Sequence, residues 1–187
     1  MDFQTGHFSL FKIYEYVASH PKMHSGKTNE AKAYSNLISE LINGIPTKKS
    51  GWYLWGRFND IGWWETIYLG KAGNLSVRLY DELREECIAF WAFVYGKETA
   101  SKQASKITNG KYDGAIPRCL RKTGTHFIVW ISGSELIEDD IKREEKALIE
   151  RYRPSYNAQR IIYPEQTSTT KKITELLDLE IEKIKRR

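Results

Sequence analysis

Apolar positions recur along this chain in separate rhythms, and each rhythm predicts a different element. Ala31, Tyr34, Leu37, Ile38, Leu41 and Ile42 follow helical spacing, with Thr28 or Asn29 as cap and Gly44 and Pro46 closing the run. Trp52 to Arg57 reads as a strand, Phe58 to Trp63 as a turn around Asn59-Asp60 and Gly62, and Glu65 to Leu69 as a second strand. Strands joined so tightly pair as an antiparallel hairpin. Gly70-Lys71-Ala72-Gly73 leads into a helix capped by Asn74, with Leu75, Leu79 and Leu83 on its inner side. Cys87 to Tyr95 is strongly apolar, and either continues that helix after a bend or forms a buried one. Thr125 to Ile131 is apolar at nearly every position, as in a strand covered on both faces. Glu138 to Tyr152 is helical again, and Pro154 ends it. From Thr170, the residues Ile173, Leu176, Leu177, Ile181 and Ile184 form one stripe of an amphipathic helix. The first 25 residues lack a clear period: Phe8 to Val17 mixes helical and alternating spacing before His20-Pro21 stops it, and the basic stretch after Tyr95, rich in Ser, Thr, Gly and Lys, has little periodicity.

The expected order is helix, β, β, helix, a long insertion, β, helix and tail helix. This is an α+β fold: a small antiparallel sheet of about three core strands flanked by helices. The expected layout is a single domain over residues 1–187. It has an N-terminal helical extension (1–50), a core (51–157) with an insertion at about 88–124, and a tail helix (158–187). Hydrophobic content of 41% with 6 Trp, 11 Tyr and 7 Phe is ample for one packed core. Apolar runs such as Phe127 to Ile131 are too short to cross a bilayer, so no membrane partner is expected. Met1-Asp2-Phe3-Gln4 lacks the start of a signal peptide. Cys87 and Cys119 lack ligand spacing and read as small buried thiols, which suits a cytoplasmic protein. His7, His20 and His24 have no zinc-ligand partners, and His126 reads as a core histidine.

Charge sharpens this picture. Lys97, Lys102, Lys106, Lys111, Arg118, Arg121 and Lys122 face only Glu98 and Asp113, so this one segment carries the whole formal charge of +5. Such a segment is either an ordinary solvated loop or the footprint of a polyanion binder.

Glu145 is the main anomaly of patterning. At about 100° per residue it falls near the middle of the face made by Ile137, Ile141, Leu148, Ile149 and Tyr152, with Glu144 towards the edge. A carboxylate there needs a metal, a cation or a wet cleft; a structural salt bridge to Lys or Arg is the plain alternative. Gly70 to Asn74 joins a strand end to a helix start, a junction whose exposed amides attract phosphate, with Lys71 and Arg78 beside it. Tyr53 and Tyr68, taken singly, read as cross-strand packing residues, and so do Trp52, Trp55, Trp63 and Trp64.

In combination these pieces change meaning. Gly51-Trp52-Tyr53, then Tyr68-Leu69-Gly70-Lys71-Ala72-Gly73-Asn74-Leu75, Arg78, and EKALIERYRPSYN from Glu145 to Asn157 resemble the GIY-YIG nuclease family in order and context. The last segment is the most specific, with the acidic residue, Leu148-Ile149, Tyr152, Pro154 and Asn157 at the family's offsets. Trp52 stands for the usual aliphatic residue, Leu69 for Ile, and the turn between the tyrosines is longer than is typical. Glu82 stands where many members carry His or Tyr, which moves proton transfer to Lys71 or Tyr53.

The resemblance implies a metal-dependent DNA endonuclease. Glu145 would bind one divalent ion, Mg²⁺ or Mn²⁺, and Arg78 would neutralise charge on the phosphate. Tyr53, helped by Lys71, would position and deprotonate the attacking water. Tyr68 would join the hydrogen-bond network, and Asn157 would organise the site. The absence of appended DNA-binding modules points to a restriction-like enzyme acting on double-stranded DNA, gripped by the basic segment. The alternatives are a repair, mobile-element or structure-specific member, or a catalytically silent DNA-binding protein. A two-fold cut would suit a homodimer, in which case a second subunit, rather than the chain's own domain, covers the tail stripe.

Overall fold

The computed structural model describes residues 2–20, 29–101, 119–134, 136–157 and 166–186. Along them run β1 (Phe3–Ser9), α1 (Phe11–Ser19), α2 (Asn29–Ile42), β2 (Ser50–Phe58), β3 (Trp64–Ala72), α3 (Leu75–Tyr95), β4 (Phe127–Gly133), α4 (Glu138–Tyr152) and α5 (Ser168–Lys185). They divide into two compact units. The first gathers Met1–Ser9, Gly44–Arg78 and Thr123–Arg187; the second gathers Leu10–Asn43 and Leu79–Lys122. No helix among the described residues is long and apolar enough to cross a membrane.

The first unit is an antiparallel sheet in the order β1-β4-β2-β3 with helices packed on it, an α+β arrangement. β2 and β4 read as almost continuously apolar because both are inner strands, buried on two faces. Trp52, Leu54, Leu69, Val129 and Ile131 share one face and form the core with Ile141 and Leu148 of α4 and Ile173, Leu177, Ile181 and Ile184 of α5. The tail stripe is therefore covered by its own unit. Leu176 packs at its margin, and Thr167 caps the helix by accepting from the Thr170 amide at 3.0 Å.

Four strands replace the expected three. Residues 3–9 form a strand where a helical extension is expected, because β1 is held by contacts that leave no apolar alternation. On the helix-facing side, Thr5 Oγ1 donates to Glu180 Oε1 at 3.0 Å and His7 Nδ1 meets Glu180 Oε2 at 2.8 Å. On the other, Gly6 lies under Trp130, where a Cβ would come within 2.7 Å of the indole.

The two acidic residues of α4 exchange places relative to the sequence expectation. Its buried positions are Ile141, Glu144, Ala147 and Leu148. Glu144 has no exposed surface: it accepts from Thr167 Oγ1 at 3.1 Å, from Thr170 Oγ1, and from Arg143 Nε at 3.1 Å. Periodicity placed the centre of the face at Glu145 because it weighs only apolar residues. The hydroxyls that open α5 draw Glu144 inward instead.

In the second unit, Glu86 of α3 is buried and collects four donors. They are the amides of Leu120 and Arg121, both at 2.8 Å, the Tyr14 hydroxyl at 3.2 Å and the Cys119 thiol at 3.7 Å. Burial pushes Glu86 up to about 7, and these donors pull only partly the other way. Burial, then Glu86, pushes the Cys119 thiol up to about 11, so it stays protonated; Cys87 and Cys119 are both buried and free. A carboxyl raised in the folded state stabilises it only where protonated. That contribution is complete below the ordinary value of 4.5 and is lost as pH rises through about 7. Hydrogen exchange of α3 amides should therefore report falling stability across that window, and Glu86→Gln should flatten the slope. Equal slopes in the two proteins would assign the titration elsewhere.

Candidate active site

The β2–β3 ladder sets a tyrosine over a glycine. Tyr53 pairs with Gly70, and a Cβ on Gly70 would collide with the ring and hydroxyl of Tyr53. Gly51 is required for a similar reason, since a Cβ there would strike the carbonyl of Ile131 on β4. Tyr53 thus lies flat across β3, fully buried. Its hydroxyl accepts from Arg78 Nε at 3.3 Å, one turn into α3. Tyr68 completes this group, its ring 6.1 Å from that of Tyr53 and inclined at 63°. Unlike Tyr53 it keeps some exposed surface.

Neighbouring residues of a strand face opposite ways. Lys71 pairs with Trp52 and so lies on the face that carries α4. There its ammonium forms an ion pair with Glu145 Oε2, both groups partly exposed at 31% and 21%. Trp52, the departure from the family's first motif, donates its indole N–H to the carbonyl of Ile141 at 3.1 Å and ties α4 to β2 one turn before Glu145. Five of the six candidate residues thus form two groups, Tyr53–Tyr68–Arg78 and Lys71–Glu145, on opposite faces of the end of β3.

Asn157 holds the strand between them. Its amide oxygen accepts from the Leu69 N–H at 2.9 Å and its amide nitrogen donates to the Leu69 carbonyl at 2.8 Å, as a neighbouring strand would. The amides of Tyr156 and Ser155 add bonds to Ile67 and Thr66 at 2.9 and 3.3 Å. The chain after α4 therefore covers the edge of β3. It reaches that position because Arg153 takes the left-handed conformation at the helix end (φ 44°) and Pro154 prevents continuation. Tyr152 anchors the same corner by donating to Asp178 Oδ1 at 2.8 Å.

No family model, curated protein or solved structure matches the chain. What the site can do must rest on its own chemistry. Among the described residues, no group of three or more His, Cys, Asp or Glu could hold a metal. Glu145 is one carboxylate, with one oxygen on Lys71 and no partner for the other among the described residues. That donor set does not suit a metal needing a full protein cage. It does suit Mg²⁺, which keeps most of its waters and takes one or two carboxylates plus substrate phosphate.

Other expectations fare differently. The Leu75 amide at the start of α3 donates to the Lys49 carbonyl at 2.8 Å, so it is not offered to a phosphate. Glu82, one turn after Arg78 on α3, is buried. Of the basic segment, Lys97 is exposed, Arg121 sits 5.0 Å over the Tyr14 ring and Lys122 lies 5.1 Å over that of Phe93. Lys102, Lys106, Lys111 and Arg118 lie outside the described residues. Trp52 and Trp55 are core and Trp64 is half-buried, whereas Trp63 stands exposed, which no periodicity in the hairpin signals.

Proposed function

We propose that this protein is a divalent-metal-dependent endodeoxyribonuclease with a GIY-YIG-like site, of the restriction-like kind, acting on double-stranded DNA. One observation carries the reading. The six residues that sequence resemblance selects also gather, by independent contacts, around the end of a single edge strand within one compact unit.

Arg78 carries the positive charge for the scissile phosphate, and the buried Tyr53 hydroxyl orients its guanidinium through Nε. Tyr53, being fully buried, acts by positioning; the partly exposed Tyr68 is the phenol able to meet the attacking water. Lys71 pairs with the Glu145 carboxylate and aims it, and is itself the ammonium beside it for proton exchange. Asn157 fixes the height of Leu69, and with it the adjoining Gly70 and Lys71. Glu145 would hold a magnesium or manganese ion, which when bound supplies Lewis acidity to a phosphate oxygen.

Supercoiled plasmid incubated with Mg²⁺ or with EDTA tests this directly. Nicked and linear products with Mg²⁺ only are expected. Stable DNA binding with no cleavage in Mg²⁺ or Mn²⁺ would overturn the enzyme reading and leave a DNA-binding protein.

A further inference from the structure

The tip of the β2–β3 hairpin is built more firmly than a connecting turn needs to be. Asn59 Oδ1 accepts from the amides of Ile61 and Trp63 at 3.2 and 2.9 Å, and the Asn59 amide donates to the Trp63 carbonyl at 2.9 Å. The Gly62 amide returns to Asn59 O at 2.9 Å, while Asn59 Nδ2 is tied to Glu65, itself paired with Arg57 at 2.8 Å. Gly62 takes a positive φ of 77°, which keeps the turn tight.

This rigid frame holds up two large apolar side chains, Ile61 at 77% and Trp63 at 68% exposure. The Trp63 indole makes no hydrogen bond or ring contact among the described residues. A cation stands beside the same turn: the Lys185 side chain reaches 3.8 Å from where a Cβ on Gly62 would be, and Arg186 follows it at the end of α5. Asp60, exposed on the same turn, keeps phosphate away from the tip itself.

We propose that this tip is a nucleic-acid contact, with the Trp63 indole stacking on a base and Lys185 and Arg186 taking the adjoining phosphates. An exposed indole stacks on any base because every base has a π-face, and a fixed loop loses little freedom on binding. A nearby cation gives the strand its direction across the tip and makes affinity depend on salt. Binding in EDTA requires no cleavage, so this contact stands or falls separately from the nuclease reading.

The test is anisotropy of a fluorescein-labelled single strand of mixed sequence, and of the matching duplex, in EDTA. Trp63→Ala should weaken single-strand binding about tenfold, with Trp63→Phe recovering most of it and far-UV circular dichroism unchanged. Lys185→Ala should instead lower the salt slope of log affinity by about 0.7. A Trp63→Ala loss of less than twofold on the single strand would overturn the proposal. So would light scattering in which Trp63→Ala turns a dimer into a monomer of unchanged affinity, since the tip would then serve a second copy of this chain.

Discussion

Glu145→Gln is expected to leave DNA bound and uncut. The change removes the negative charge that would hold a metal while keeping the shape of the side chain, and it strips Lys71 of its ion-pair partner. Loss of a group that stabilises charge at a phosphoryl-transfer site reads out as about a thousandfold or more in rate. The site is partly exposed and the pair lies at the sheet edge, so the fold should tolerate the substitution. Glu144→Gln, one residue away, should behave in the opposite manner. It replaces a buried acceptor of two threonine hydroxyls and an arginine, and should lower stability by about 1–3 kcal/mol with cleavage per folded molecule preserved. Plasmid nicking and urea unfolding of both variants decide the matter. A Glu145→Gln protein that cuts at the wild-type rate, or equal loss of cleavage per folded molecule in both, removes Glu145 from the chemistry.

Gly70→Ala should be among the most damaging single methyls in the sheet. Its Cβ has no room beside the Tyr53 ring and hydroxyl. The ring is buried between packed neighbours and has nowhere to swing. Overpacking of this kind costs about 1–3 kcal/mol, and any shift of Tyr53 breaks the bond that orients Arg78. Gly73→Ala, three residues on, meets no atom within 4 Å and is the matched control. Thermal unfolding should separate the two clearly, and equal midpoints would mean that Tyr53 moves without cost.

Much of the first unit was legible because its elements are locally consistent. Trp52 to Arg57, Glu65 to Leu69 and Thr125 to Ile131 each announce burial through their own composition, and Asn59-Asp60 with Gly62 announces the turn between the first two. β1 was not legible, since Thr5 and His7 owe their place to Glu180 near the opposite end of the chain. The inversion of Glu144 and Glu145 has the same origin: hydroxyls at the start of α5, distant along the chain, claim the Glu144 carboxylate. Asn157 is picked out by the resemblance, yet its pair of hydrogen bonds to Leu69 depends on a left-handed Arg153 that no residue type announces. At the site, the alternation of β3 decides that Lys71 belongs with Glu145 and not with Tyr53, so the aid to Tyr53 expected of Lys71 gives way to Arg78.

The pairing of β1 with β4 also sets an order of events during synthesis. Phe3–Ser9 leaves the ribosome before its partner Phe127–Gly133, and Glu180 follows later still. Pairings so distant along the chain form slowly, and a growing chain exposes its N-terminal segment meanwhile. Tethering the two ends by circular permutation, with new termini in an exposed loop, would make the contact of β1 with Glu180 local and roughly halve the separation of β1 from β4, and should speed folding.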